Sequence, residues 1–95
     1  MDLPSILALV KSAELAIRNG DFSNAFEHAR KAISFDAHHP AANYYYGLSA
    51  AKLGREADAF DGFSVASMGI EFRSAAFVEI AKIHARKANW SAALD

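Results

Sequence analysis

Ninety-five residues, 53% hydrophobic and 22% charged, suit one small soluble globular domain and exclude a disordered chain. A net charge of -1 gives no electrostatic reason to expect nucleic acid or an anionic membrane as a partner. The absence of cysteine excludes disulfides, thiolate catalysis and cysteine-based zinc sites, and fits a reducing compartment.

The N-terminal stretch Met1 to Val10 is largely apolar, but Asp2 stands where a signal peptide carries positive charge. Lys11 interrupts the run short of a secretory or membrane-spanning length, so a cytoplasmic chain is expected. Pro4 or Ser5 opens a first helix, whose apolar positions Ile6, Leu9, Val10, Ala13, Ala16 and Ile17 fall on one face. Asn19-Gly20 ends it, because both residues accept the left-handed conformation of a helix C-terminus, and Asp21 caps the next helix.

The second helix is predicted from Phe22 to Phe35, with Phe22, Ala25, Phe26, Ala29, Ala32 and Ile33 facing inward. So short a connection makes the pair an antiparallel hairpin. His38-His39-Pro40 breaks the chain, since the residue before proline disfavours the α region and Pro40 suits a helix start. A third helix follows from about Ala41 to Leu53 and ends at Gly54. A fourth runs from about Glu56 to Met68 with Ala59, Phe60, Phe63 and Ala66 as its stripe, closed by Gly69. The fifth is predicted from Arg73 to Lys87, and a sixth begins at Trp90 and is cut off at Asp95.

These elements repeat at a fixed interval of 34 residues. Gly54, Ala59 and Phe60 have Gly20, Ala25 and Phe26 upstream of them and Ala88, Ala93 and Leu94 downstream. A period of this size marks stacked helix-turn-helix units, here about 6–39, 40–73 and an incomplete 74–95 within a single 1–95 domain. Small residues recur at Ala13, Gly47 and Ala81 on the first helix of each unit and at Ala25, Ala59 and Ala93 on the second. They let helix axes approach while Phe22, Phe26, Tyr46, Phe60, Phe63, Phe77 and Trp90 fill the grooves beside them.

On these columns the chain resembles the tetratricopeptide repeat family. Ala37 and Glu71 depart from the proline common after each unit, Glu56 from the aromatic at the start of a second helix, and His84 from a small or aromatic residue. The resemblance implies an all-α, right-handed α-solenoid of about two and a half units. Its first helices would line a concave groove that binds a protein or peptide without catalysis. Arg18, Lys52 and Arg86 would then form one column along that groove, Lys11, Tyr45 and Glu79 a second, and Val10, Tyr44 and Val78 a third, with Lys82 beside them.

Two readings of these residues stand side by side. In one, the cations Arg18, Lys52, Arg86, Lys11 and Lys82 meet acidic groups of a partner while Tyr44 and Tyr45 supply amphipathic contact area. In the other, cations in the last turn of a helix interact with its dipole and solvate the surface. A clamp for a terminal carboxylate pair, as some members of the family carry, is excluded because Val10, Glu14, Tyr45, Ala75 and Glu79 stand at its positions.

No cofactor or metal is expected. The adjacent pair His38-His39 lacks further ligands, and Ser12, Ser34, Ser49, Ser64 and Ser67 have no base or oxyanion motif around them. A second function class is a self-assembling structural unit, and a third a regulatory domain at the front of a longer enzyme. For self-assembly the expected surface is an apolar patch of Ile83, Trp90 and Leu94 at the C-terminal end, joining copies into a homo-oligomer.

Overall fold

A computed structural model describes the backbone of residues 5–94 and the side chains of residues 5–88. The described residues form five helices and no strand: α1 (Ile6–Arg18), α2 (Phe22–Phe35), α3 (Pro40–Lys52), α4 (Glu56–Ala66) and α5 (Arg73–Leu94). Each packs on its neighbours in the chain, and α1 also meets α3, so the molecule is elongated, with extents of 57 × 26 × 20 Å.

The helix starts are made by local side chains. Ser5 Oγ accepts the Ala8 N–H at 3.1 Å, and Asp21 Oδ1 accepts the Asn24 N–H at 3.3 Å. Each such cap is worth ~1 kcal/mol because it satisfies a backbone donor with no partner in the first turn. The His38-His39-Pro40 break has the same logic. His39 Nδ1 accepts the Ala42 N–H at 3.2 Å and Pro40 begins α3, so this histidine caps a helix.

Both hairpin turns depend on glycine. Gly20 and Gly54 take φ of +76° and +78°, a left-handed conformation that costs an L-residue roughly 1–2 kcal/mol. The third unit has Ala88 at the equivalent place, and there the chain does not turn. The expected break after Lys87 and the separate sixth helix are replaced by one continuous α5 from Arg73 to Leu94. Alanine is the best helix former and a poor left-handed residue, so the local preference of Lys87-Ala88-Asn89 overrides the 34-residue register. α4 also ends earlier than expected, at Ala66, with Ser67 as its cap.

The larger core lies among Phe26, Ala50, Ala59, Phe63, Ala66, Ala76 and Ile83, and a smaller one joins Leu9, Ala32 and Ala42. At the α3–α4 crossing two backbones nearly touch. A Cβ on Gly62 would lie 2.7 Å from the Asn43 carbonyl oxygen, and one on Gly47 would lie 2.7 Å from the Phe63 ring. Phe26 joins the two hairpins: its ring stacks on Tyr46 at 4.8 Å, and the Arg55 guanidinium sits 4.7 Å above it. The Phe26 side chain is 3% exposed, so the stacking and cation–π contacts act with the burial of the ring.

The segment between the hairpins is held by one buried amide. Asn43 Nδ2 donates to the Ala37 carbonyl at 3.0 Å and to the His39 carbonyl at 2.9 Å. Removing the amide would leave the Ala37 carbonyl without that donor, whereas the His39 carbonyl keeps the Asn43 N–H at 3.0 Å, so the cost is about 1 kcal/mol.

Two expectations about the third unit are corrected by burial. Ile83, assigned to an exposed apolar patch, is 1% exposed and lies in the core, because α5 turns the face carrying Ala76, Ile80 and Ile83 toward α4. Phe77, assigned to a packing groove, is 55% exposed, because no second helix folds back over it. The side chains of Trp90 and Leu94, the rest of that patch, lie outside the described residues.

Candidate functional site

Residues 79, 82 and 86 of α5 share one face at helical spacing, and that face looks toward the end of α3 and the start of α4. Between them lies an open groove of about 540 Å³, lined by Ala51, Lys52, Gly54, Glu56, Glu79, Lys82 and Arg86. Gly54 makes it possible: the left-handed turn reverses the chain so that Lys52, at the end of α3, and Glu56, at the start of α4, open onto the same space.

Three of the cations read from the sequence, Lys52, Lys82 and Arg86, therefore meet here, brought in by two different helices. Lys82 Nζ lies 3.2 Å from Glu79 Oε1, a pair in which the lysine is exposed and the glutamate half-buried. Glu56 Oε1 is buried and has no hydrogen-bond partner among the described residues. The groove thus gathers three cationic side chains, one of them paired with Glu79. Chemically, its cations suit a ligand that brings carboxylates to them.

The other expected site residues lie elsewhere. Arg18 reaches back along α1 to Glu14, with Nη2 2.8 Å from Oε1, and remains 69% exposed. Tyr45 belongs with that pair: burial pushes its phenol pKa up, the Glu14 carboxylate adds to the rise, and Arg18 opposes it. Lys11 is exposed on α1 and does not line the groove.

Tyr44 packs its ring on Phe63 at 5.8 Å and on Phe72 at 5.1 Å. Burial raises its pKa and the Glu79 carboxylate raises it further. Tyr45 meets Phe72 edge-on at 6.2 Å, so Phe72, in the loop before α5, is the hub of the aromatic patch. The sequence reading missed Phe72, Glu56 and Glu79 as parts of one site. Glu56 stood out there as a departure from a repeat pattern, and Glu79 as a member of a mixed column and a position that excludes a carboxylate clamp.

Among the described residues no group of three or more His, Asp or Glu side chains is placed to hold a metal ion, and no helix is long and apolar enough to cross a membrane. The chain matches no family model, no curated protein and no solved structure.

Proposed function

We propose that this chain is a non-catalytic binding module of the tetratricopeptide type, a right-handed solenoid acting in the cytoplasm, whose groove between α3 and α5 takes an acidic segment of a protein or peptide. The observation that carries the reading is the convergence of Lys52, Lys82 and Arg86 on one groove. Cations that only solvate helix ends have no reason to converge from two helices, whereas a partner's carboxylates are met by such an arrangement. The aromatic surface of Tyr44, Tyr45 and Phe72 supplies amphipathic area alongside.

Fluorescence anisotropy of labelled acidic peptides, against neutral peptides of the same length, tests this. The acidic set binds more tightly, and the preference shrinks as salt is raised. Reversing two of the cations in Lys52→Glu plus Arg86→Glu weakens binding on the order of tenfold or more, because both lie at the rim of the groove. Equal affinity for acidic and neutral peptides, or an unchanged affinity in the double variant, would overturn the assignment.

A further inference from the structure

The cationic groove is one end of a longer strip. Tyr45 of α3 meets Phe72, which directly precedes α5, with ring centroids 6.2 Å apart. Seven positions further on in each, Lys52 and Glu79 line the groove together. Equal steps along both helices mean that α3 and α5 run side by side in one direction, each packed on α4. A step of seven residues turns an α-helix back to within about 20° of its starting direction, so Tyr45 and Lys52 share one face of α3, and Glu79 and Arg86 one face of α5.

The strip changes character along its length. At the end where α5 begins, the half-buried rings of Tyr44, Tyr45 and Phe72 stand together, Tyr44 lying 6.0 Å from Tyr45 and 5.1 Å from Phe72. At the other end are Lys52, Lys82 and Arg86. Leu48 and Ala51 continue the α3 face between the two ends and Ala75 the α5 face, and none of them carries charge. An aromatic anchor and a cationic anchor are thus separated by seven residues of α3, about 10.5 Å.

That distance selects the form of the occupant. In a β-strand, side chains three apart point to opposite sides, and those two or four apart lie about 7 or 13 Å from each other. A polyproline II segment turns once in three residues and rises about 9 Å, so side chains three apart fall on one side at nearly the required spacing. An α-helix meets the spacing only with anchors seven apart, and an aromatic surface favours the extended form, whose conformation is set before binding. Resting on the groove reading above, we propose that the acidic segment this chain takes is a polyproline II stretch with an aromatic or large aliphatic side chain three residues from a carboxylate. The apolar side chain covers Tyr45 and Phe72, the carboxylate meets Lys52 and Lys82, and a second carboxylate one turn further meets Arg86.

The unmodified chain decides this by fluorescence anisotropy with labelled peptides of one composition, each holding one phenylalanine and two glutamates three residues apart in a glycine and serine background. Phenylalanine three residues from the nearer glutamate, on whichever side binds better, gives affinity on the order of tenfold tighter than a separation of one or seven, because only then are both anchors engaged at once. Prolines at the spacer positions tighten it further, since they set the extended form beforehand. Tyr45→Ala, with its fold checked by circular dichroism, levels the series and keeps the salt-dependent preference for acidic over neutral peptides. Acidic peptides that bind no better than neutral ones would sink the groove reading and this one with it. A preference for acidic peptides that is the same at every separation, is greatest at seven, or is weakened by proline overturns this inference alone.

Discussion

The second hairpin and α5 start from nearly the same sequence pattern and end differently. α3 and α4 turn about Gly54 and approach until Gly47 and Gly62 leave no room for a methyl group, whereas α5 passes through Ala88 without turning and leaves its equivalent face in solvent. The comparison shows that small-residue columns and aromatics set what a pair of helices can do once folded back. Whether they fold back is decided by one residue in the turn.

The largest effect should separate two phenylalanines. Phe63 is fully buried at the α3–α4 contact and Phe77 is half exposed on α5. Phe63→Ala should cost about 3–5 kcal/mol, and Phe77→Ala about 0.5 kcal/mol or less at concentrations where the chain is monomeric. Urea denaturation checks both, and equal losses would erase the distinction between covered and bare faces.

Overpacking gives the next test. Ala59→Leu and Gly62→Ala place carbon where none fits, at about 1–3 kcal/mol each. Ala85→Leu, on the bare face, should leave the thermal midpoint of the dilute chain nearly unmoved. An unchanged midpoint for Gly62→Ala would mean that α3 and α4 can separate freely.

The turns themselves come third. Gly54→Ala forces an L-residue into the left-handed region, at roughly 1–2 kcal/mol. Ala88→Gly loses only helix propensity, up to about 1 kcal/mol, wherever α5 stays straight. Thermal melts of the two variants, taken at low concentration, give that order or refute it.

The smallest effect is a pH dependence confined to the hairpin side. Tyr44, Tyr45 and Tyr46 all have phenol pKa values raised above the ordinary 10.0, with burial as the main cause. A raised pKa means that the native state holds its proton longer than the unfolded chain does. The contribution to stability is therefore complete below pH 10 and is lost as the pH climbs through the native values. Denaturant midpoints should be flat from neutral pH to about 9.5 and fall above it. Tyr46→Phe should reduce that fall.

Much of this architecture was legible because its causes are local. Ser5 and Asp21 cap helices through side chains three residues from their targets, and Asn19-Gly20 and Gly54 carry their conformational preference in their own identity. Gly62 and Asn43 were not legible, since an absent methyl or a buried amide takes its meaning from a backbone many residues away. α5 was misread for a different reason: the interval of 34 was strong enough to imply a turn at Ala88 that the residues there do not make. The groove was half legible. Lys52 and Arg86, 34 residues apart, line one groove that Lys82 joins without any such spacing, whereas Arg18, in the same column, is taken up by Glu14 one turn back.

Asn43 has a mechanical consequence. One amide grips two carbonyl oxygens of the inter-hairpin segment, Ala37 and His39, and it is itself fixed in the first turn of α3. The two bonds carry load differently: the one to His39 lies inside the start of α3 and moves with that helix, so swinging the first hairpin about the second stretches only the bond to Ala37. A pull on the first hairpin is therefore borne at Ala37 and by the packing of α2 on α3, and the linking segment is anchored to the second hairpin.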